Sequence, residues 1–263
     1  MTIRGTGRIS RFVASGVRVV ARQLGLDVVP YYRYPPDFDP ELIQVIERVG
    51  QYTKSTPEQA FALCHAVRYV IRARVPGAIV ECGVWRGGSM MAAAYTLLLE
   101  QDASRDLYLF DTFEGMPPPS RHDVRWDGAK ADRVLAESDR ADEEATWAAV
   151  SIDKVRGAMR STGYDEARVH YVAGLVEETI PQQAPASIAL LRLDTDWYAS
   201  TKHELQHLFP RISRGGVLII DDYGYWQGAR RAVDEYFRDH RINLLLNRLG
   251  PARMCVVPDQ GLN

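Results

Sequence analysis

From residue 57 onward the chain alternates short apolar runs with longer segments of helical period, and this alternation narrows the possible folds more than any other feature. Ala78-Ile79-Val80-Glu81-Cys82, Leu107-Tyr108-Leu109-Phe110-Asp111 and Ile188-Ala189-Leu190-Leu191-Arg192-Leu193-Asp194 are nearly continuous in apolar residues, as strands covered on both faces must be. Further strands are predicted over 168–172, 217–221, 242–246 and 253–257, the last two joined through a turn at Gly250-Pro251. Helices are predicted over 57–74, with Pro57 in the first turn, and over 88–100, 146–161, 200–211 and 229–239. The pattern implies an α/β domain: a mostly parallel, seven-stranded sheet with helices on both faces. Such sheets bind ligands beyond the carboxyl ends of their strands, so the residues just after each strand are the functional candidates.

Composition removes several classes. Lys+Arg 32 against Asp+Glu 34 gives a formal net charge of −2, unlike the basic balance of a nucleic-acid binder. Cys64, Cys82 and Cys255 are far apart and form no CxxC, which excludes a disulfide scaffold and fits a reducing, cytoplasmic setting. No apolar run approaches the roughly 20 residues of a membrane span. The first 26 residues carry Arg4, Arg8, Arg11, Arg18 and Arg22, with Ile9, Phe12, Val13, Val17, Val20 and Leu24 at helical spacing. That is a basic amphipathic helix, suited to a membrane surface or lipid-linked substrate, to a second subunit, or to packing on its own domain. The aromatic, proline-rich stretch Tyr31-Tyr32-Arg33-Tyr34-Pro35-Pro36 marks a connector. The expected organisation is a helical appendage over residues 1–50 and a main domain over 51–263.

At the strand ends, Gly83-Val84-Trp85-Arg86-Gly87-Gly88-Ser89 forms a glycine-rich turn into a helix, where backbone can approach a ligand closely. It is not GxGxxG, because Trp85 stands where the middle glycine belongs, which weighs against a nicotinamide dehydrogenase. Asp111 ends the next strand, where a carboxylate accepts ribose hydroxyls or caps a turn. Asp194, Asp221 and Asp222 follow neighbouring strands. Carboxylates gathered there repel unless a cation joins them, and oxygen ligands alone favour Mg²⁺; helix capping is the alternative. His203-Glu204-Leu205-Gln206-His207 matches HExxH, the motif of a zinc hydrolase, but Pro210 ends that helix a turn later.

Four segments carry a resemblance. They are Glu81-Cys82-Gly83-Val84-Trp85-Arg86-Gly87-Gly88-Ser89, Phe110-Asp111-Thr112-Phe113-Glu114-Gly115-Met116-Pro117, Leu191-Arg192-Leu193-Asp194-Thr195-Asp196-Trp197-Tyr198 and Gly215-Gly216-Val217-Leu218-Ile219-Ile220-Asp221-Asp222-Tyr223. In this order they resemble the macrocin O-methyltransferase family, which includes sugar O-methyltransferases of macrolide and aminocoumarin biosynthesis. The resemblance runs from about residue 51 to residue 257. It implies a class I methyltransferase (Rossmann-like) fold, S-adenosyl-L-methionine and Mg²⁺ as cofactors, and O-methylation of a sugar hydroxyl on a natural product or glycan, often by a homo-oligomer. A non-catalytic cofactor-binding scaffold is the competing reading.

Carried over residue by residue, Glu81, Gly83, Val84, Trp85, Gly87 and Ser89 would hold the methionine part of the cofactor. Asp111 would bind the ribose, and Thr112 and Gly174 complete the cofactor set. Tyr52-Thr53-Lys54-Ser55 matches a segment that closes over the cofactor, with Thr53 in contact. Asp194, Asp221 and Asp222 would hold the metal. The chain departs from the family at Thr195, where glycine is usual. A base histidine is expected after the Asp-Thr-Phe-Glu-Gly motif; His122 lies in that region and, with Asp194, is the catalytic candidate, a carboxylate of the following charged stretch or a water being the alternatives for the base. The charged stretch 118–145 suits a lid over the acceptor, or an exposed loop.

Overall fold

The structure is a computed structural model that describes residues 34–139, 145 and 149–258. The chain divides into two compact units, Met1–Phe38 and Asp39–Asn263. The described residues of the first form a turn: Phe38 N donates to the Pro35 carbonyl (3.1 Å), and the Tyr34 and Phe38 rings stack at 6.2 Å. The basic helix expected over the first 26 residues lies outside the described residues, as do Tyr31, Tyr32 and Arg33 of the connector.

The second unit opens with helices α1 (Pro40–Val49) and α2 (Pro57–Arg72). The sequence Thr56-Pro57-Glu58-Gln59 sets where α2 starts. Gln59 N donates to Thr56 Oγ1, Thr56 N donates to Gln59 Oε1, and Pro57 fills a position that needs no amide donor. The order continues as β1 (Ala78–Cys82), α3 (Gly88–Leu99), β2 (Leu107–Asp111), α4 (Ala131–Ala136), α5 (Ile152–Arg160), β3 (Val169–Ala173) and α6 (Val176–Thr179). It ends with β4 (Ile188–Leu193), α7 (Tyr198–Leu208), β5 (Ile212–Ile220), α8 (Gln227–Asp239), β6 (Asn247–Leu249) and β7 (Ala252–Val256).

Among the described residues the seven strands form one sheet in the order β3-β2-β1-β4-β5-β7-β6. Pairings from β3 to β5 are parallel, and β7 runs antiparallel to both its neighbours. Alternate residues on the strands feed two cores. Ile79, Leu190 and Ile219 pack with Leu42, Leu63 and Met91 of the first three helices. Val80, Leu191 and Leu218 pack with Leu205, Val233 and Phe237 of α7 and α8. The near-continuous apolar runs therefore serve two buried faces.

Three predicted elements differ. The run 242–246 is not a strand: Ile242, Leu244 and Leu246 alternate onto the second core outside any strand ladder, with Ile242 N donating to the Phe237 carbonyl of the preceding helix, and the strand is Asn247–Leu249, joined to β7 through Gly250-Pro251. α5 starts at Ile152, because Ser151 is extended and its backbone carbonyl accepts Lys154 N and Val155 N, the first bonds of the helix. β5 begins at Ile212 rather than at residue 217, its pairing with β4 shifting register between Ile188 and Leu190. Other boundaries move by one to three residues.

Candidate active site

The chain lays down β1, β2 and β3 in one direction, then returns to place β4 on the other side of β1. Loops leaving β1 and β4 part at this reversal, and a crevice opens beyond the strand ends. A cavity of about 460 Å³ sits there. It is lined by Thr53, Gly83, Val84, Trp85, Ser89, Asp111, Thr112 and Gly174 on one side and by Asp194, Asp221 and Asp222 on the other. Eleven of the predicted site residues thus share one cavity wall. Glu81, Gly87 and His122 are not in the lining.

The glycines of the β1–α3 loop have local reasons to be glycine. Gly83 has φ +83°, and a Cβ there would overlap the Asp194 carbonyl oxygen. Gly88 N donates to the Tyr52 carbonyl (2.9 Å), and a Cβ on Gly88 would overlap that same carbonyl. The first glycine brings the loops after β1 and β4 together; the second brings residues 52–55 down onto the start of α3. Trp85 (φ +48°), Phe113 (+56°) and Asp196 (+65°) take the left-handed region without being glycine, and each follows a strand end at the cavity. Such strain concentrates where a fold fixes a site.

Asp111 caps this loop. Its Oδ2 accepts Val84 N (2.6 Å) and Trp85 N (3.2 Å), and its Oδ1 accepts Phe113 N (2.7 Å). The capping role weighed against ribose binding is therefore present, in a residue that also faces the cavity. Glu81 is buried one residue before the end of β1. Its Oε1 pairs with Arg192 (2.6 Å), while Oε2 has no hydrogen-bond partner among the described residues. Burial pushes the Glu81 carboxyl up to about 7 despite the guanidinium.

Asp194, Asp221 and Asp222 each offer a carboxylate oxygen, and the three oxygens lie within 4.8 Å of one another. The sheet explains the gathering. Leu193 and Ile220 are register partners on β4 and β5, so Asp194 and Asp221 emerge side by side, with Asp221 N donating to the Leu193 carbonyl. Asp222 Oδ2 accepts Asp196 N (3.0 Å), and Trp226 Nε1 donates to Asp196 Oδ1 (2.5 Å). Burial holds Asp194 and Asp222 well above the usual carboxylate range, and the neighbouring acids add to the shift. Asp196 is pushed to about 7 for the same reasons. Crowded oxygen donors with excess negative charge fit a hard divalent cation such as Mg²⁺.

Arg192 carries no assigned role in the sequence reading. It lies on β4 opposite Glu81, and its guanidinium reaches Glu81, Asp194 and Asp221 together. A lone cation in an otherwise apolar strand, two residues before an acid, was the signal available. The Thr195 departure is also accommodated: Asp196 takes the left-handed conformation instead, and Thr195 Oγ1 donates to buried Glu204 (3.0 Å).

His122 packs against Tyr198 (ring centroids 4.7 Å), with its Nδ1 3.1 Å from Arg231 Nη1. Beside it, Asp123 is buried and accepts Tyr198 N, while Val124 accepts Gln227 N. The start of the 118–145 stretch is thus tied to α7 and α8. HExxH does not build a zinc site. His203 Nε2 contacts the Ile180 carbonyl (2.9 Å), and Glu204 turns inward to Thr195. Among the described residues, the three aspartates are the one group of three or more candidate ligands close enough to share an ion.

The strand order, the glycine loop after β1, the acid after β2 and the crevice at the reversal define a class I methyltransferase fold. The solved O-methyltransferase NovP superposes with a TM-score of 0.69 at 26% identity, covering 94% of this chain and 98% of that one. The calicheamicin methyltransferase CalS11 shares the fold at a TM-score of 0.59 and 19% identity, over 98% of this chain and 100% of that one. The family model Macrocin-O-methyltransferase (TylF) matches residues 53–255. Among curated relatives, 8-demethyl-8-(2,3-dimethoxy-alpha-L-rhamnosyl)-tetracenomycin-C 4'-O-methyltransferase of Streptomyces olivaceus is 34% identical over 205 residues, 78% of this chain and 75% of its own. Mycinamicin III 3''-O-methyltransferase of Micromonospora griseorubida is 33% identical over 181 residues, 69% of this chain and 68% of its own. This chain belongs to the macrocin-O-methyltransferase family and is an O-methyltransferase. That excludes the dehydrogenase, zinc-hydrolase and scaffold readings. No helix among the described residues is long and apolar enough to cross a membrane.

Proposed function

We propose that the protein transfers a methyl group from S-adenosyl-L-methionine to a sugar hydroxyl of a natural product or glycan, with Mg²⁺ held by Asp194, Asp221 and Asp222. The observation that carries this reading is one cavity shared by the Asp111-capped glycine loop and the three aspartates. The relatives named above act, by their names, on a rhamnosyl-tetracenomycin and on mycinamicin III.

When bound, the sulfonium supplies an electrophilic methyl carbon, and the cation supplies charge that lowers the pKa of an acceptor hydroxyl. The chain's own residues do the rest. Asp111, which lines the cavity, would take ribose hydroxyls, and Glu81, whose buried Oε2 has no hydrogen-bond partner among the described residues, would serve the methionine part of the cofactor. Val84, Trp85, Ser89, Thr53, Thr112 and Gly174 shape the cofactor wall, with Gly87 holding the loop's turn. With the methyl carbon passing from the sulfonium sulfur to the acceptor oxygen, the hydroxyl proton would have to be taken up by a carboxylate of the chain. Asp194, in the cavity wall, is our assignment for that acceptor; His122, outside the wall, would need to move to serve. Proximity supplies much of the remaining rate.

Residues 118–145 would cover the acceptor side, and the basic helix expected over the first 26 residues would meet a lipid-linked acceptor or a second subunit. The test is S-adenosylhomocysteine release with glycosides bearing vicinal hydroxyls, with and without Mg²⁺. Release that needs both glycoside and metal supports the reading. Cofactor binding without release on a broad glycoside panel counts against the sugar acceptor.

A further inference from the structure

Arg192 is 6% exposed and lies at the centre of the sheet. Its neighbours across the sheet are Glu81 on β1 and Ile219 on β5, and Asp194 and Asp221 lie two residues further along. The guanidinium therefore sits one layer beneath the acids. Nη1 contacts Glu81 Oε1 and Asp194 Oδ2, both at 2.6 Å. Nη2 contacts Asp221 Oδ1 at 2.8 Å and donates to Ser55 Oγ at 3.3 Å. Four groups from four parts of the chain converge on one rigid fork. Ser55 and the two aspartates line the cavity, and Glu81, buried in β1 beneath it, is the residue proposed above for the cofactor. An arginine so buried and so connected specifies geometry, because its planar fork fixes the direction of every partner.

We infer that Arg192 is the positioning residue that orients Asp194 and Asp221 for the shared divalent cation while holding Glu81 for the cofactor, so that one side chain aligns the two half-sites. This rests on the Mg²⁺ reading above. The geometry opposes what charge alone would give. Removing a cation from beside three acids should tighten divalent binding by Coulomb attraction. If Arg192 positions the carboxylates, its removal weakens binding instead, as loss of a group supporting metal ligands typically costs 10–100-fold in affinity.

The experiment is Mn²⁺ titration of the metal-stripped full chain, followed by electron paramagnetic resonance, on wild type, Arg192→Met and Arg192→Lys. The same proteins are melted without metal and titrated with S-adenosylhomocysteine. Expected are wild-type Mn²⁺ binding, a loss of about 10–100-fold in Arg192→Met, and an intermediate loss in Arg192→Lys, which keeps the charge but not the fork. The loss in Mn²⁺ affinity should exceed the loss in S-adenosylhomocysteine affinity, which a general loosening of the fold would not produce. Wild type that binds Mn²⁺, with Arg192→Met binding it equally or more tightly, overturns the inference alone. Wild type that does not bind Mn²⁺ overturns the metal reading and the inference with it. If Arg192→Met fails to fold, wild-type affinity in Arg192→Lys overturns the inference.

Discussion

Asp111 already serves three backbone amides, those of Val84, Trp85 and Phe113. Asp111→Ala therefore acts twice. It should abolish S-adenosylhomocysteine binding by calorimetry and lower stability by about 1–3 kcal/mol in denaturant unfolding, because donors packed in the loop lose their acceptor. Unchanged stability would show that the loop does not depend on the carboxylate. Glu204 offers a pH test away from the cavity. It is fully buried, and burial pushes its carboxyl up to about 8. The folded protein then holds a proton that the unfolded chain, with the ordinary value of 4.5, gives up. The associated stability is present below about 4.5 and is lost as pH rises towards 8. Glu204→Gln keeps a neutral side chain at every pH. Its melting temperature should match wild type near pH 5, exceed it increasingly up to pH 8, and hold a constant gap above; a gap independent of pH would contradict the assignment.

The elements place the site through two close approaches that tolerate no side chain. Gly83→Ala would drive a methyl group into the Asp194 carbonyl, and Gly88→Ala into the Tyr52 carbonyl. Each is expected to cost about 1–3 kcal/mol in urea unfolding and to weaken cofactor binding, since each shifts one wall of the cavity. Wild-type binding in both variants would mean the loop adjusts freely. Much of this frame was legible in the sequence. Strand runs with both faces apolar located β1, β2, β4 and the last four residues of β5, and acids just past those runs marked the cavity. What the sequence hid was pairing over distance. Glu81 and Arg192 are 111 positions apart, and only strand register brings them together. Period-two alternation over 242–246 looked like a strand because it buries one face, but alternation records burial and not backbone pairing. HExxH had the spacing of a zinc motif, yet Glu204 faces the interior.

At the scale of the molecule, the fold brings the Asp111-capped glycine loop and an acid cluster into one crevice, and the proposed function requires both to be ligand sites. The most direct test is calorimetry on the metal-stripped full chain. S-adenosylhomocysteine is titrated with and without Mg²⁺ into wild type and Asp111→Ala, and Mg²⁺ into wild type and Asp221→Ala. The account predicts micromolar S-adenosylhomocysteine binding that is lost in Asp111→Ala, and Mg²⁺ binding that is lost in Asp221→Ala. No binding of S-adenosylhomocysteine in any metal condition would contradict it.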